Sequence, residues 1–203
     1  MRSLVVGPTF AMGFQREGTP PVLQQLGVEM GFGVRVVEPL MEGEEMVSSS
    51  ALRRTLQEGD VAKASHYLGH DFALEGTVVH GDGRGRDLGF PTANLEVAPG
   101  LTVPGDGVYA TWASVEGDGR WKAATSIGVR PTFGPTSGEN QRTVEAFLIG
   151  YHGDLYQRRL RLEFTHRLRD ELRFDSTEAL VRQMHEDVRQ AETLLDATPE
   201  PEA

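Results

Sequence analysis

Cysteine is absent from all 203 residues, which excludes a disulfide framework, a thiolate zinc site and a cysteine nucleophile, and fits a reducing setting. Histidine is left as the main side chain able to hold a zinc-like metal. The six histidines (His66, His70, His80, His152, His166 and His185) are scattered, and none falls in an H-E-x-x-H pattern. A zinc centre is therefore disfavoured, while hard-ion chemistry through oxygen ligands stays open. No apolar run approaches 18 residues and no charged-then-apolar leader opens the chain, so neither a membrane span nor an export signal is expected. Positive charge is also in short supply. The formal net charge is −10, against the basic excess or stripe carried by domains that grip nucleic acid. With 38% hydrophobic and 25% charged residues, the composition is that of a soluble globular chain of one or two domains, expected in the cytoplasm.

Residues 1–69 read as an α/β segment. "RSLVVGPTF" opens with an apolar run, and "GFGVRVVEPL" carries a second around Val34 to Val37, both with the texture of buried strands. "VSSSALRRTLQEGD" offers serine caps, then Leu52 and Leu56 at helical spacing, and stops at Gly59. Asp60 can cap a further short helix with Val61, Ala64 and Leu68 on one face, ending at Gly69. A segment this small buries only about 60% of its unfolded surface and is marginal alone.

From Phe72 the texture changes to short strand candidates, "LEGTVVH", "GVYATWASV", "KAATSIGV", "TVEAFLIGY" and "RRLRLEFT", split by glycine-rich turns at the spacing of a barrel or sandwich. In the last, Leu160, Leu162 and Phe164 alternate with Arg159, Arg161 and Glu163, so one face is buried and the other charged. The barrel is expected to close near Thr165. Asp175 followed by Glu178 resembles a capping box, and Leu180, Met184, Val188, Ala191 and Leu195 form a helical stripe. One long amphipathic helix should pack on the barrel, and residues 198–203 form a polar, proline-bearing tail expected to be disordered. Arg158, Arg159, Arg161, Arg167 and Arg169 are either solvated strand faces or a local attraction for phosphate.

The stretch "GDGRGRDLGFPTANL" at 81–95 poses the functional question. It contains neither G-x-x-x-x-G-K-[ST] nor the spacing of G-x-G-x-x-G, so a strand-loop-helix phosphate site is disfavoured. A plain hairpin loop remains open, as does a phosphate loop in which glycine backbone approaches an anion and Arg84 and Arg86 add charge. Pro91 stiffens the turn, and Thr92 and Asn94 lie two apart, so on an extended chain their oxygens share one side and could hold a Mg²⁺ that also binds phosphates. Glu145 interrupts the apolar strand "TVEAFLI", where its neighbours Val144 and Ala146 point the other way. It is either a rim carboxylate facing water or a base.

The series "GRGRDLGFPTANL", "GVYA", "SIGVRPTFG", "TVEAFLIGYHGDLY" and "LRDELRF", followed by the final helix, resembles riboflavin kinases, the C-terminal module of bacterial bifunctional riboflavin kinase/FAD synthetases, from about Leu68 to about Leu195. The resemblance implies a mainly β fold, a six-stranded antiparallel Greek-key barrel with a C-terminal helix over residues 70–197. It implies Mg²⁺-dependent transfer of the ATP γ-phosphate to the terminal ribityl hydroxyl of riboflavin, giving FMN and ADP. It assigns Thr92 and Asn94 to Mg²⁺-ATP, Gly81, Gly83 and Arg86 to the nucleotide phosphates, and Glu145 to activation of the alcohol across a barrel mouth. Arg169 and Glu171 fall on the flavin side; read bottom-up, they are equally surface salt-bridging residues. Trp112 and Trp121 could stack on a flavin ring, but packing is the favoured reading. Gln157 stands where relatives carry glycine after "DLY", which counts against a positive-φ turn there.

Residues 1–69 resemble the tail end of the FMN adenylyltransferase module, through "VVGPTFAMG" and "VSSSALRR". Thr9 stands where aspartate is common and Ala51 where the first arginine of that helix is common, while Arg53 matches the second. The histidine-bearing nucleotide loop of that module has no counterpart, so the chain is expected to make FMN and not FAD.

Overall fold

The computed structural model describes residues 2–81, 83–129 and 142–197. Within the unit Met1–Ala51, β1 (Ser3–Val6) and β2 (Gly33–Val36) pair in parallel, Leu4 opposite Val34 and Val6 opposite Val36. The crossover between them is α1 (Pro20–Met30), with proline at its first position and Gly31 in the left-handed conformation at its end. Sequence periodicity does not reveal α1, because Leu23 is buried while Val28 and Met30 face solvent, leaving no apolar stripe. A small hairpin, β3 (Met41–Glu42) with β4 (Glu45–Met46), follows. The expected capping serine is Ser48, whose Oγ accepts from the Ala51 N–H at the start of α2 (Ser49–Gln57).

The second unit, Leu52–Ala203, opens on the remainder of α2 and on α3 (Val61–Leu68). Asp60 caps α3 by accepting from the Lys63 N–H, and Gly69 ends it at φ 75°. The buried face is Val61, Ala64 and Tyr67; Leu68 is only half-buried. Then come β5 (Phe72–Val79), a short helix α4 (Arg84–Asp87), β6 (Ala93–Val97), β7 (Gly107–Val115), β8 (Gly119–Val129), β9 (Arg142–Leu148), β10 (Arg159–Arg169) and α5 (Thr177–Ala197). The six strands close into a barrel in the order β10-β5-β6-β9-β8-β7, every pairing antiparallel. This is the expected Greek-key barrel, a hairpin and a three-stranded meander joined by crossing connections. The "RPTFG" part of the family motif and the tail 198–203 lie outside the described residues.

Inward residues recur every second position and fill the barrel: Leu74, Val78, Leu95, Tyr109, Ile127, Val144, Leu160, Leu162 and Phe164. A second cluster lies outside the wall, where Ala110 and Trp112 of β7 pack against Ala191 and Leu195 of α5. Being covered on both faces, β7 reads as a continuous apolar run instead of an alternating one. Two expectations need correction. First, β10 does not end near Thr165; it continues to Arg169 through register shifts at Phe164/His166 and Arg167/Arg169, and bulges of this kind re-aim the side chains that follow. Second, the cap of α5 comes from Ser176, whose Oγ accepts from the Ala179 N–H, one residue after Asp175.

The turn after "DLY" also departs from expectation. Gln157 adopts φ 64° without being glycine, held by its N–H donating to Val78 O at 2.9 Å and by Arg158 N–H donating to Leu155 O at 3.1 Å. Those bonds outweigh the clash of Cβ with its own backbone, which costs a non-glycine residue roughly 1–2 kcal/mol. Gln157→Gly is therefore expected to raise the unfolding free energy by about 1 kcal/mol in urea titration; an unchanged or lower value would show that the turn carries no strain.

Candidate active site

Strand parity decides where the acidic residue of β9 points. Val144, Ala146 and Leu148 are buried inside the barrel, so Glu145 and Phe147 face outward. Glu145 lies directly opposite Asn94 of β6 on one side and Ser126 of β8 on the other, and cross-strand partners project to the same face. Thr92, just before β6, donates its hydroxyl to Glu145 Oε2 at 3.2 Å. The expected trio of Thr92, Asn94 and Glu145 is thus brought together. It meets on the outer wall, however, and not across a barrel mouth, because the inward positions of these strands are all taken by the core.

Against this wall lies a cavity of about 230 Å³, walled by Ser126, Glu145, Phe147 and Arg169, bounded by Phe90 and Thr92, and roofed by Leu180, Met184 and Val188 of α5. The apolar stripe of α5 therefore has two jobs. Its C-terminal half packs on Trp112, and its N-terminal half covers a hollow. A second cavity of about 150 Å³, lined by Val78, Arg86, Pro91, Leu148 and Tyr156, also reaches Thr92. Thr92 is the residue shared by the two.

The glycine-rich stretch is not a bare hairpin loop; it winds into the short helix α4 between β5 and β6 and folds back over Thr92 and Asn94. Gly85 is needed because a Cβ there would strike the Phe90 backbone carbonyl, and a Cβ at Gly81 would meet the side-chain amide of Asn94. Gly83 precedes α4 at φ 73°, a left-handed position that favours glycine. Arg86 donates from Nη2 to the Tyr156 hydroxyl at 2.9 Å, and His80 stacks on the same ring at 3.8 Å between centroids. The loop is thereby tied to the Gln157 turn.

Arg169 reaches the first cavity through the bulges of β10. Its Nε and Nη2 donate to Asp187 of α5 at 2.8 and 2.6 Å. Glu171 is not among the described residues lining the cavity; it lies over Gly128, where any side chain would collide with its carboxyl. Desolvation, and then the charge of Asp106, raise its pKa above the usual carboxylate range, opposed by Arg169 and Arg142. The remaining arginines of the cluster have acidic partners: Arg158 with Asp118, Arg159 and Arg161 with Glu75, and Arg167 with Asp170. The cluster is a set of charge-neutralised strand faces, not an anion site. Both tryptophans pack: Trp112 under α5 with Arg120 over its ring at 4.4 Å, and Trp121 edge-on to Tyr151.

Among the described residues, no group of three or more His, Asp or Glu side chains is placed to hold a metal. The hydroxyl of Thr92 and the amide oxygen of Asn94 stand beside the Glu145 carboxylate instead. Two neutral oxygens of this kind suit a hard cation that takes the rest of its shell from phosphate oxygens and waters, as Mg²⁺ does, with the carboxylate next to it.

The sequence model of the riboflavin kinase family (flavokinase) matches residues 68–195. This chain belongs to the riboflavin kinase family. Curated relatives named bifunctional riboflavin kinase/FMN adenylyltransferase are 37% identical in Pseudomonas fluorescens, over 96% of this chain and 61% of the relative. In Escherichia coli K12 the figures are 37%, 92% and 58%, and in Bacillus subtilis 168 they are 35%, 92% and 58%. The chain therefore spans about three fifths of the length of these relatives. A crystal structure described as a macrolide-efflux protein from Streptococcus pneumoniae superimposes with a TM-score of 0.80 at 28% identity, covering 92% of this chain and 58% of that one. In this riboflavin kinase domain the Pro-Thr-Ala-Asn stretch lies beside the outward-facing Glu145.

Residues that sequence reasoning missed are Ser126, Phe147, Tyr156 and Asp187. Asp187 left a signal, a lone carboxylate three residues after Met184 and four before Ala191 on the apolar face of α5. Gly85→Ala is expected to lower stability by about 1–3 kcal/mol, because the opposing atom is a backbone carbonyl that cannot rotate away. Urea titration checks this, and an unchanged midpoint would mean that the loop re-forms around the methyl group.

Proposed function

We propose that this chain is an ATP:riboflavin 5′-phosphotransferase yielding FMN and ADP. The observation that carries the reading is the Thr92–Glu145 hydrogen bond at the junction of two cavities. One cavity is apolar and of a size for part of a flat ring system, and the other lies beside the glycine-rich loop. Riboflavin would occupy the cavity under α5, with Arg169 on its wall and Glu171 beyond it on the flavin side. ATP would lie along Gly81, Gly83 and Arg86.

In this reading the ribityl oxygen attacks the γ-phosphorus and the bond to the β–γ bridging oxygen breaks. ADP leaves with that electron pair, and the hydroxyl proton passes to a Glu145 carboxylate oxygen. General-base help of this kind contributes roughly 10² to 10⁴ in rate. Thr92 and Asn94 would hold Mg²⁺-ATP, and bound Mg²⁺ supplies charge neutralisation at the phosphoryl oxygens. The hydroxyl of Thr92 orients the Glu145 carboxylate before substrate arrives, which is positioning of the sort on which phosphoryl transfer mainly relies.

Residues 1–69 are proposed as a partial adenylyltransferase segment and 70–197 as the kinase domain. A cytoplasmic setting is proposed from the cysteine-free sequence; among the described residues no helix is long and apolar enough to cross a membrane.

Glu145→Gln is expected to lower kcat by roughly 10² to 10⁴ while the protein still binds riboflavin. Chromatographic separation of riboflavin, FMN and FAD after incubation with ATP and Mg²⁺ measures this. Turnover of the variant at the parent rate would remove Glu145 from the mechanism, and FAD in the parent reaction would contradict the proposed end product.

A further inference from the structure

Asp187 is 4% exposed, a carboxylate on the face of α5 that otherwise carries Met184, Val188 and Ala191. Burial of such a group is unfavourable unless its oxygens are satisfied, and here they are. Oδ1 accepts from Arg169 Nε at 2.8 Å and from Gln183 Nε2 at 2.9 Å, and Oδ2 accepts from Arg169 Nη2 at 2.6 Å. Arg169 Nη1 donates to the Asp170 carbonyl at 2.8 Å. A guanidinium has five N–H donors, so these contacts hold Arg169 by three of them and leave one each on Nη1 and Nη2. Both Asp187 and Arg169 line the cavity under α5, and neither lines the cavity beside the glycine-rich loop.

We infer that Asp187 is a positioning residue for flavin binding: it fixes the Arg169 guanidinium flat against the cavity wall and cancels its charge, so that the spare N–H groups face an uncharged polar ring. The inference rests on the riboflavin kinase reading of this cavity. A neutral ligand gains hydrogen bonds from such a wall without having to neutralise it. The bidentate geometry matters because a planar fork held at two points cannot swivel. The pair also joins the roof of the cavity to its wall, since Asp187 belongs to α5 and Arg169 to the bulged end of β10.

The test titrates riboflavin by quenching of its fluorescence, and Mg-ADP by calorimetry, into the full chain and into Asp187→Asn. The expected result is a loss of riboflavin affinity of about tenfold or more, as for a misplaced binding group, with Mg-ADP affinity changed less than twofold. Unchanged riboflavin affinity overturns the inference, and so does an equal loss for both ligands, which marks a merely structural residue. Should Asp187→Asn fail to fold, the paired variant Arg169→Met with Asp187→Met takes its place, since well-packed apolar pairs often replace buried ion pairs without loss of fold. That variant is expected to bind Mg-ADP normally and riboflavin weakly, and parental riboflavin binding by it would equally overturn the inference. A parent chain that binds riboflavin but makes no FMN would remove the kinase reading while leaving the positioning role standing. A parent that binds no riboflavin removes both.

Discussion

The two-residue period of a β-strand is the constraint on which this molecule turns. Because Val144, Ala146 and Leu148 must fill the barrel, Glu145 has to face outward, and antiparallel pairing then sets Asn94 and Ser126 beside it. A one-residue slip of β9 would bury the carboxylate among Leu95 and Ile127 and expel three apolar side chains. The hydrophobic core therefore fixes the register, and the register fixes the chemistry. The hydrogen bond from Thr92 completes the arrangement by bringing the end of the glycine-rich loop to the same spot.

Around that spot the structure keeps its polar groups occupied. Arg86 is tied to Tyr156, Arg169 to Asp187, and Arg159 and Arg161 to Glu75 on the neighbouring strand β5. Exposed pairs of this kind add little stability, but they remove the loose positive charge that would attract anions to the wrong face. The pair of half-buried Arg169 with buried Asp187 is different. Breaking one side of such a pair leaves an uncompensated charge and is far more damaging than losing an exposed pair, so α5 and β10 are locked together beside the cavity.

Much of this was legible in the chain. Alternation in "RRLRLEF" and the stripe from Leu180 to Leu195 identified a barrel strand and its covering helix, and the spacing of Thr92 and Asn94 identified paired oxygens. What escaped has physical causes. The helix Pro20–Met30 has no apolar stripe to read. "ANLEV" is a short strand hidden behind a proline-bearing turn. The continuation of β10 past Thr165 depends on bulges, which leave no mark on a binary pattern. The positive φ of Gln157 is imposed by hydrogen bonds to Val78 and between Leu155 and Arg158, contacts that no local propensity encodes. The side of the wall on which the trio meets needed the pairing of three strands and a contact between Thr92 and Glu145, which lie 53 residues apart in sequence.

The most direct measurement is a crystal structure of the chain with riboflavin and Mg-ADP bound. The isoalloxazine ring is expected under α5 against Phe147 and Arg169, with the ribityl terminal oxygen about 3 Å from the Glu145 carboxylate. The diphosphate is expected beside Thr92, Asn94 and the glycine-rich loop. A flavin seated elsewhere on the barrel, or a terminal hydroxyl pointing away from Glu145, would contradict this arrangement.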